Sequence, residues 1–324
     1  MTHAIRIHKT GGPEVMKWEA VEVGEPGPHE VRLKAMAAGL NFIDTYHRSG
    51  LYKIPLPAIL GREGAGVVET IGTGVTDLAP GDRVAYALMP LGSYAEARLM
   101  PADRLVKIPA NISDQQAASM MLKGMTTQYL IRRTFKVARG DTILVHAAAG
   151  GVGLILTQWA KCLGATVIGT VGSDEKRVTA EAHGCDHVIN YSREDFAAKV
   201  VEITQGQKCA VVYDGVGKDT FAKSLDCLRP LGMMVSYGNA SGPVAPFPVG
   251  ELALKGSLFL TRPTLDTYIA KREELQTAAR DLFDVVEKGA VKIEVNQTYP
   301  LREAAQAHRD LEARRTVGAT VLTI

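Results

Sequence analysis

The chain has 324 residues, Lys+Arg 37 against Asp+Glu 35, and 46% hydrophobic residues, which is long enough for two domains around large cores. Its balanced charge carries no basic face or like-charge run to make nucleic acid the main partner, and no apolar run reaches transmembrane length. Cys162, Cys185, Cys209 and Cys227 are too widely spaced for a paired metal-ligand motif or a disulfide scaffold, a pattern that fits a reduced, cytoplasmic enzyme.

Met1-Thr-His-Ala-Ile-Arg-Ile-His-Lys begins as an alternating strand rather than a signal peptide. From there to about residue 122 the pattern is mostly β. Runs such as Glu30–Ala38, Gly64–Ile71 and Arg83–Leu88 are separated by the turn signals Gly24-Glu-Pro-Gly-Pro28, Gly72-Thr-Gly74 and Pro80-Gly-Asp82. That spacing predicts a compact, partly open barrel. Ser113-Asp-Gln-Gln116 reads as a capping box that starts a helix leading into the next domain.

From about 123 to 262 strands and helices alternate, the mark of an α/β domain. Its most informative stretch is Gly140-Asp-Thr-Ile-Leu-Val-His-Ala147-Ala-Ala-Gly150-Gly151-Val152-Gly153. A buried strand, Thr142 to His146, runs into a glycine turn that opens a helix with an apolar stripe at Ile155, Leu156, Trp159 and Leu163. Gly164 ends that helix, and a second strand over 165–170 completes a βαβ unit. Glycine lets backbone approach a diphosphate closely, and a helix N-terminus beyond it suits an anion. A glycine turn also occurs merely to pack a helix on a sheet, but the flanking strands supply the context of a dinucleotide site.

The end of the second strand selects the dinucleotide. An NAD site places a carboxylate about twenty residues on, against the ribose 2′-hydroxyl. Here Thr170-Val-Gly172-Ser173 leaves room for a 2′-phosphate, with Ser173 as a donor and Lys176 and Arg177 as charged partners. Asp174 is the residue that would favour NAD, or else it caps the helix while Lys176 points to water. NADPH is the expected cofactor.

Further on, the pattern predicts a strand at Val188-Ile189, a helix Glu194–Thr204, a strand Cys209–Tyr213, a helix around Thr220–Leu228 and a strand Gly232–Tyr237. A sixth, edge strand is expected over Ser257–Thr261, able to pair with its copy in a second subunit. The tail predicts a long helix over about Tyr268–Lys288, a short strand near Ile293, a helix Glu303–Arg314 and a last strand at Ala319-Thr-Val-Leu, returning to the first domain. The expected domains are 1–122, completed by 263–324, and 123–262.

The motif Gly140-Asp-x-x-Leu144-x-x-x-Ala148-Ala149-Gly150-Gly151-x-Gly153-x-x-x-x-Gln158-x-x-Lys161 resembles the signature of the quinone oxidoreductases of the medium-chain dehydrogenase/reductase superfamily, the zeta-crystallin-like group. Ala38-Gly-Leu-Asn41-Phe-Ile-Asp44-Thr-Tyr46 and Gly61-Arg-Glu-Gly-Ala-Gly66 resemble its active-site segments. The likeness covers essentially the whole chain. It implies an α/β architecture in which a GroES-like, partly open β-barrel catalytic domain accompanies a Rossmann doubly wound parallel sheet, with NADPH and a homodimer.

The resemblance also implies roles for individual residues. Asn41 falls near the nicotinamide and its ribose, with Asp44 supporting that loop. Tyr46 and Tyr52 line the acceptor cleft and Thr127 its floor. Ser173, Lys176, Tyr191 and Arg314 match adenosine-phosphate contacts, and Gly172, Val216, Gly238 and Ser241 other cofactor-lining positions. Gly150, Gly151, Val152 and Gly153 hold the diphosphate. Each has an ordinary alternative: turn residues at Asn41 and Asp44, packing at Tyr46 and Tyr52, a loop aromatic at Tyr191, a solvated cation at Arg314.

Zinc-dependent relatives carry cysteine where this chain has Asn41 and histidine where it has Arg62, and the four-cysteine lobe is missing from 86–104. No metal is therefore expected. Three functions follow: reduction of quinones, reduction of activated C=C bonds in enones or alkenals by the same cleft, or a non-catalytic NADPH- or RNA-binding role. The charge balance counts against the last.

Overall fold

A computed structural model describes residues 2–324. The chain forms two units. One holds the chain up to Met125 together with Ile269–Phe283 and Ile293–Ile324; the other holds Thr126–Tyr268 and Asp284–Lys292.

The first unit is built from β1 (Thr2–Ile7), β2 (Lys17–Val21), β3 (Glu30–Leu40), α1 (Phe42–Ser49), β4 (Ala58–Ile59), β5 (Glu63–Ile71), β6 (Arg83–Tyr86), β7 (Ala97–Pro101) and β8 (Val106–Lys107). In β3, Val31, Leu33 and Ala35 point inward between more exposed neighbours, the period-two pattern of a half-buried strand. Toward its C-terminal end every residue is buried, so α1 starts from inside the unit. Two cores result, one around Val31, Leu33, Val84, Tyr86 and Met100 and one around Ile5, Ile7, Leu40, Leu60 and Tyr94. The capping box appears as expected: Gln116 N–H donates to Ser113 Oγ, and Ser113 N–H to Gln116 Oε1, both at 3.1 Å. The helix it starts, α2 (Asp114–Tyr129), carries the chain into the second unit.

That unit contains β9 (Thr142–Val145), α3 (Gly151–Cys162), β10 (Thr166–Val171), α4 (Asp174–Ala182), β11 (His187–Asn190), α5 (Phe196–Ile203), β12 (Cys209–Asp214), α6 (Phe221–Asp226), β13 (Leu228–Ser236), α7 (Gly250–Leu254), β14 (Phe259–Thr261) and α8 (Leu265–Tyr268). Its parallel sheet runs β11-β10-β9-β12-β13-β14, the 3-2-1-4-5-6 order of a Rossmann fold. Leu144, Ile168, Ile189, Val212 and Met234 form its core with Phe196 and Phe221. The sixth strand is shorter than expected, because Ser257 takes a left-handed backbone, φ +54°, and extended structure begins only at Phe259.

The tail divides between the units. After α8 come α9 (Arg272–Glu287), β15 (Val295–Pro300), α10 (Ala304–Glu312) and β16 (Ala319–Thr323). The long helix expected over 268–288 starts later, at Arg272, since Ile269–Lys271 separates it from α8 and Ile269 is fully buried in that break. The segment 284–292 belongs to the second unit rather than the first. Lys292 N–H donates to Gln158 Oε1 at 2.9 Å, and Cys162 Sγ to Ala290 O at 3.4 Å. Residues 263–268 also lie in the second unit, and the remaining tail completes the first unit's sheet β15-β16-β3-β5-β6-β8, with β7 also on β3.

Candidate functional site

The glycine turn follows β9 directly. His146, the residue after the strand, is fully buried, its Nδ1 2.8 Å from Thr170 Oγ1 and its Nε2 2.8 Å from Ser224 Oγ. Ser224 gives its own proton to Thr220 O, so it accepts from Nε2–H, and Thr170 donates to Nδ1. Burial holds this imidazole neutral by pushing its pKa down. Ala147 then adopts φ +53°, rare for a residue with a side chain, and its carbonyl accepts from Gly150 N–H at 2.8 Å. Gly150 caps α3 without any side chain, and the N–H groups of the first helical turn, from Gly151, Val152 and Gly153, project beyond the helix without intrahelical acceptors. A Cβ on Gly153 would lie 2.3 Å from Ala147 O and 2.6 Å from Ala148 O. The turn closes this tightly only around glycine.

At the end of β10 the structure brings Gly172 and Tyr191 together. A Cβ on Gly172 would meet the Tyr191 hydroxyl at 3.0 Å, and Ser192 Oγ donates to Gly172 O at 2.9 Å. Ser173, not Asp174, caps α4: its Oγ accepts from Lys176 N–H at 3.4 Å. Asp174 instead accepts from Asn190 Nδ2 at 2.8 Å and Arg193 at 2.7 Å, and the Asn190 hydrogen bond first of all holds its carboxyl below the usual range. Arg177 is likewise engaged, donating to Glu194 Oε2 at 3.0 Å. Lys176 is half-exposed on the first turn of α4. Val216, Gly238 and Ser241 also converge: Ser241 N–H and Oγ both donate to Val216 O, at 2.8 and 2.9 Å. A Cβ on Gly238 would strike Gly215 O at 2.3 Å. Asp214, absent from the sequence-based set, shapes this edge by accepting from Val216 N–H, Gly217 N–H and Thr220 Oγ1.

In the first unit Asn41 precedes α1 as its N-cap and is 6% exposed. Its Nδ2 donates to Glu63 Oε2 at 2.8 Å, the same oxygen that takes Lys123 Nζ at 2.9 Å; Leu122 N–H donates to Oε1 at 2.7 Å. Glu63 is fully buried and Lys123 nearly so. Asn41 N–H donates to Asp44 Oδ2 at 3.0 Å and Tyr94 Oη to that same atom at 2.9 Å. Burial pushes the Asp44 carboxyl up to about 7, against the pull of those two donors. Sequence reading missed Glu63, Lys123 and Tyr94. Charged residues inside apolar runs were the only signal, and their pairing spans 50 to 60 positions.

Tyr46 is 9% exposed and packs edge-on against Tyr52, ring centroids 5.3 Å apart. Thr127, on α2, is fully buried in the second unit. Arg314 belongs to the first unit and lies beyond α10 rather than within its last turn, exposed and left-handed at φ +59°.

A doubly wound sheet with an open glycine turn, in one chain with a mainly antiparallel β unit, defines the class of two-domain dinucleotide-fold dehydrogenases and reductases. A family model described as "Alcohol dehydrogenase GroES-like domain" matches residues 27–110, and one described as "Zinc-binding dehydrogenase" matches 151–282. The chain is 54% identical over 323 residues to a quinone oxidoreductase of Pseudomonas aeruginosa, covering 99% of each. It is 52% identical to a 2-haloacrylate reductase of a Burkholderia species, also over 99% of each. A crystal structure of Escherichia coli quinone oxidoreductase complexed with NADPH superposes with TM-score 0.98 at 48% identity, covering 100% of both chains. The chain belongs to the quinone oxidoreductase family of the medium-chain dehydrogenase/reductase superfamily, and its two units carry the GroES-like and Rossmann folds of that family.

Despite the second family model's description, the donor set here does not fit zinc. Arg62 offers only a guanidinium, which cannot coordinate a cation. The Asn41 amide is held by Glu63, and that carboxylate is neutralised by Lys123. Among the described residues no group of three or more His, Cys, Asp or Glu is placed to hold a metal ion.

Proposed function

We propose that this chain reduces quinones with NADPH, with the first unit as catalytic domain and the second as nucleotide domain. The observation that carries the cofactor choice is the engagement of Asp174 by Asn190 and Arg193, which takes away the carboxylate an NAD ribose needs. In this reading Ser173 and Lys176, at the start of α4, take the 2′-phosphate, and the roles of Tyr191 and Arg314 rest on the family resemblance alone. Gly150, Gly151, Val152 and Gly153 receive the diphosphate on backbone N–H groups, and Gly172, Val216, Gly238 and Ser241 line the rest of the cofactor. Asn41, fixed by Glu63 and Asp44, orients the nicotinamide end, and Tyr46 and Tyr52 face the flat acceptor; the role of Thr127 rests on the family resemblance alone.

When bound, the nicotinamide supplies a hydride. An electron-poor quinone takes it without a Lewis acid, because the charge that develops is delocalised over the ring, and solvent completes the hydroquinone. A second reading, reduction of an activated C=C bond, is favoured by the 52% identity to a 2-haloacrylate reductase. The same chemistry requires only that charge be delocalised onto a conjugated carbonyl.

The test is turnover of NADPH and NADH with 1,4-benzoquinone, a 1,2-quinone and an enone. NADPH-specific quinone turnover is expected; enone turnover alone moves the function to the second reading. Lys176→Glu should weaken NADPH by roughly tenfold or more while leaving NADH nearly unchanged, since it sets a carboxylate against a 2′-phosphate. Equal effects on both would remove the 2′-phosphate assignment.

The working form is proposed to be a homodimer joined through β14. No helix among the described residues is long and apolar enough to cross a membrane, and the four cysteines are free thiols, which supports a cytoplasmic setting.

A further inference from the structure

The Asp44 carboxylate is the end of a buried chain with a single direction. A guanidinium can only donate, so His308 Nδ1, 2.9 Å from Arg48 Nη1, accepts, and the imidazole carries its proton on Nε2. Burial, reinforced by Arg48, keeps this histidine neutral by pushing its pKa down to about 3. Nε2–H therefore donates to Tyr94 Oη at 3.2 Å, and the phenol O–H is left to donate to Asp44 Oδ2 at 2.9 Å. Arg48 is anchored at its far side by Glu312, at 2.7 and 3.0 Å.

The geometry at Asp44 is lopsided. Tyr94 Oη and Asn41 N–H both reach Oδ2, while the buried Oδ1 has no hydrogen-bond partner. An ionised carboxylate with two donors on one oxygen grips both. Protonation, which falls on the unengaged Oδ1, reduces the acceptor strength of Oδ2 and so loosens Asn41.

We propose that Tyr94 and His308 are positioning residues for Asn41, acting through Asp44: the ordered donors His308 Nε2–H and Tyr94 O–H hold Oδ2 where it fixes the Asn41 backbone, and with it the amide that Glu63 orients. The proposal rests on the reading of Asn41 as the nicotinamide-side residue. The charged and titratable groups around Asp44 are Glu63 on β5 and Lys123 on α2, of opposite effect, and Arg48, Tyr94 and His308 along the chain. Tyr94 comes from a loop and His308 from α10, and sequence reading gave neither residue a role.

The first readout is the Asn41 backbone amide resonance in the cofactor-free full chain, followed against pH. It is expected to titrate near neutrality and, in Tyr94→Phe, to move upward by about one pH unit, since a donor to the charged form is gone. The acid limb of kcat/KM should move with it. An unmoved midpoint, or a loss of activity uniform across pH, overturns the proposal. His308→Gln keeps an amide donor toward Tyr94 and should retain the parental midpoint, whereas His308→Phe should raise it; equal midpoints in those two variants also overturn it. Asn41→Ala separates the two claims. Parental kinetics in that variant remove the role given to Asn41, while the amide titration still decides whether Tyr94 and His308 act on Asp44.

Discussion

At the scale of single residues, two buried groups on one hydrogen-bond chain are perturbed in opposite senses. Asp44, raised from 3.8 to about 7, holds a proton in the folded chain that the unfolded chain has released. Its contribution is fully present below pH 3.8 and is lost as pH rises through 7, about 4 kcal/mol in all. His308, lowered from 6.5 to about 3, refuses a proton that the unfolded chain takes up. Its contribution is present above pH 6.5 and is lost as pH falls toward 3, about 5 kcal/mol in all. Between about pH 4 and 6.5 the two slopes nearly cancel, so the parent should show a shallow pH dependence there. Asp44→Asn removes one slope, and its stability relative to the parent should rise by about 3 kcal/mol from pH 5 to pH 8. His308→Gln should gain relative to the parent in the other direction, by about 3 kcal/mol as pH falls from 6.5 to 4. Urea midpoints measured across this range check both; a gap between variant and parent that does not vary with pH would show that neither group is perturbed as described.

At the scale of elements, the glycine turn has a specific requirement at one position. Gly153 sits inside α3, where alanine is ordinarily better by about 1 kcal/mol. Here a Cβ would meet two backbone carbonyl oxygens within 2.6 Å, and backbone cannot swing aside as a side chain can. Gly153→Ala should therefore open the turn, lower Tm and weaken NADPH by roughly tenfold or more, about 1.4 kcal/mol. Gly150→Ala, whose Cβ stands 3.1 Å from Ala147 O at φ −86°, should be much milder. Fluorescence titration with NADPH compares them, and parental affinity in Gly153→Ala would remove the close approach from the argument. This turn was readable from sequence because strand, turn, helix and second strand are contiguous, each with its own period. The tail was less so. The helical pattern was read from about Tyr268 to Lys288, and only the packing of Ile269 reveals that the helix begins at Arg272. Least readable was the polar chain at Asp44, since Tyr94 and His308 lie 50 and 264 positions away by number, and nothing local marks a tyrosine hydroxyl or an imidazole as a partner. Local rules find loops that hold phosphate; they do not find hydrogen bonds that only tertiary packing creates.

At the scale of the whole molecule, the edge of the Rossmann sheet is the feature a monomer leaves unresolved. β14 closes the sheet with no further strand beyond it among the described residues, and it carries Phe259 56% and Leu260 36% exposed. An unguarded apolar edge of this kind pairs with another strand, and two-fold pairing with a second copy would run the two sheets into one. Fully burying a side chain of this size is worth about 1.5–3 kcal/mol, so half-exposed Phe259 contributes roughly 1 kcal/mol per copy. A nanomolar dimer needs about 12 kcal/mol, more than two short strands provide. The remainder must come from apolar neighbours, and Val249 and Leu254 at the two ends of α7, with Leu231, whose N–H donates to Gly256 O, are 74%, 88% and 67% exposed. Leu260→Lys places a charge in the middle of the proposed seam and should convert a dimer to a monomer in sedimentation velocity, with NADPH affinity within about twofold of the parent, about 0.4 kcal/mol. Leu254→Ser should weaken the pair without abolishing it. A parent that sediments as a monomer, or a Leu260→Lys variant that stays dimeric, places the subunit contact elsewhere than on β14.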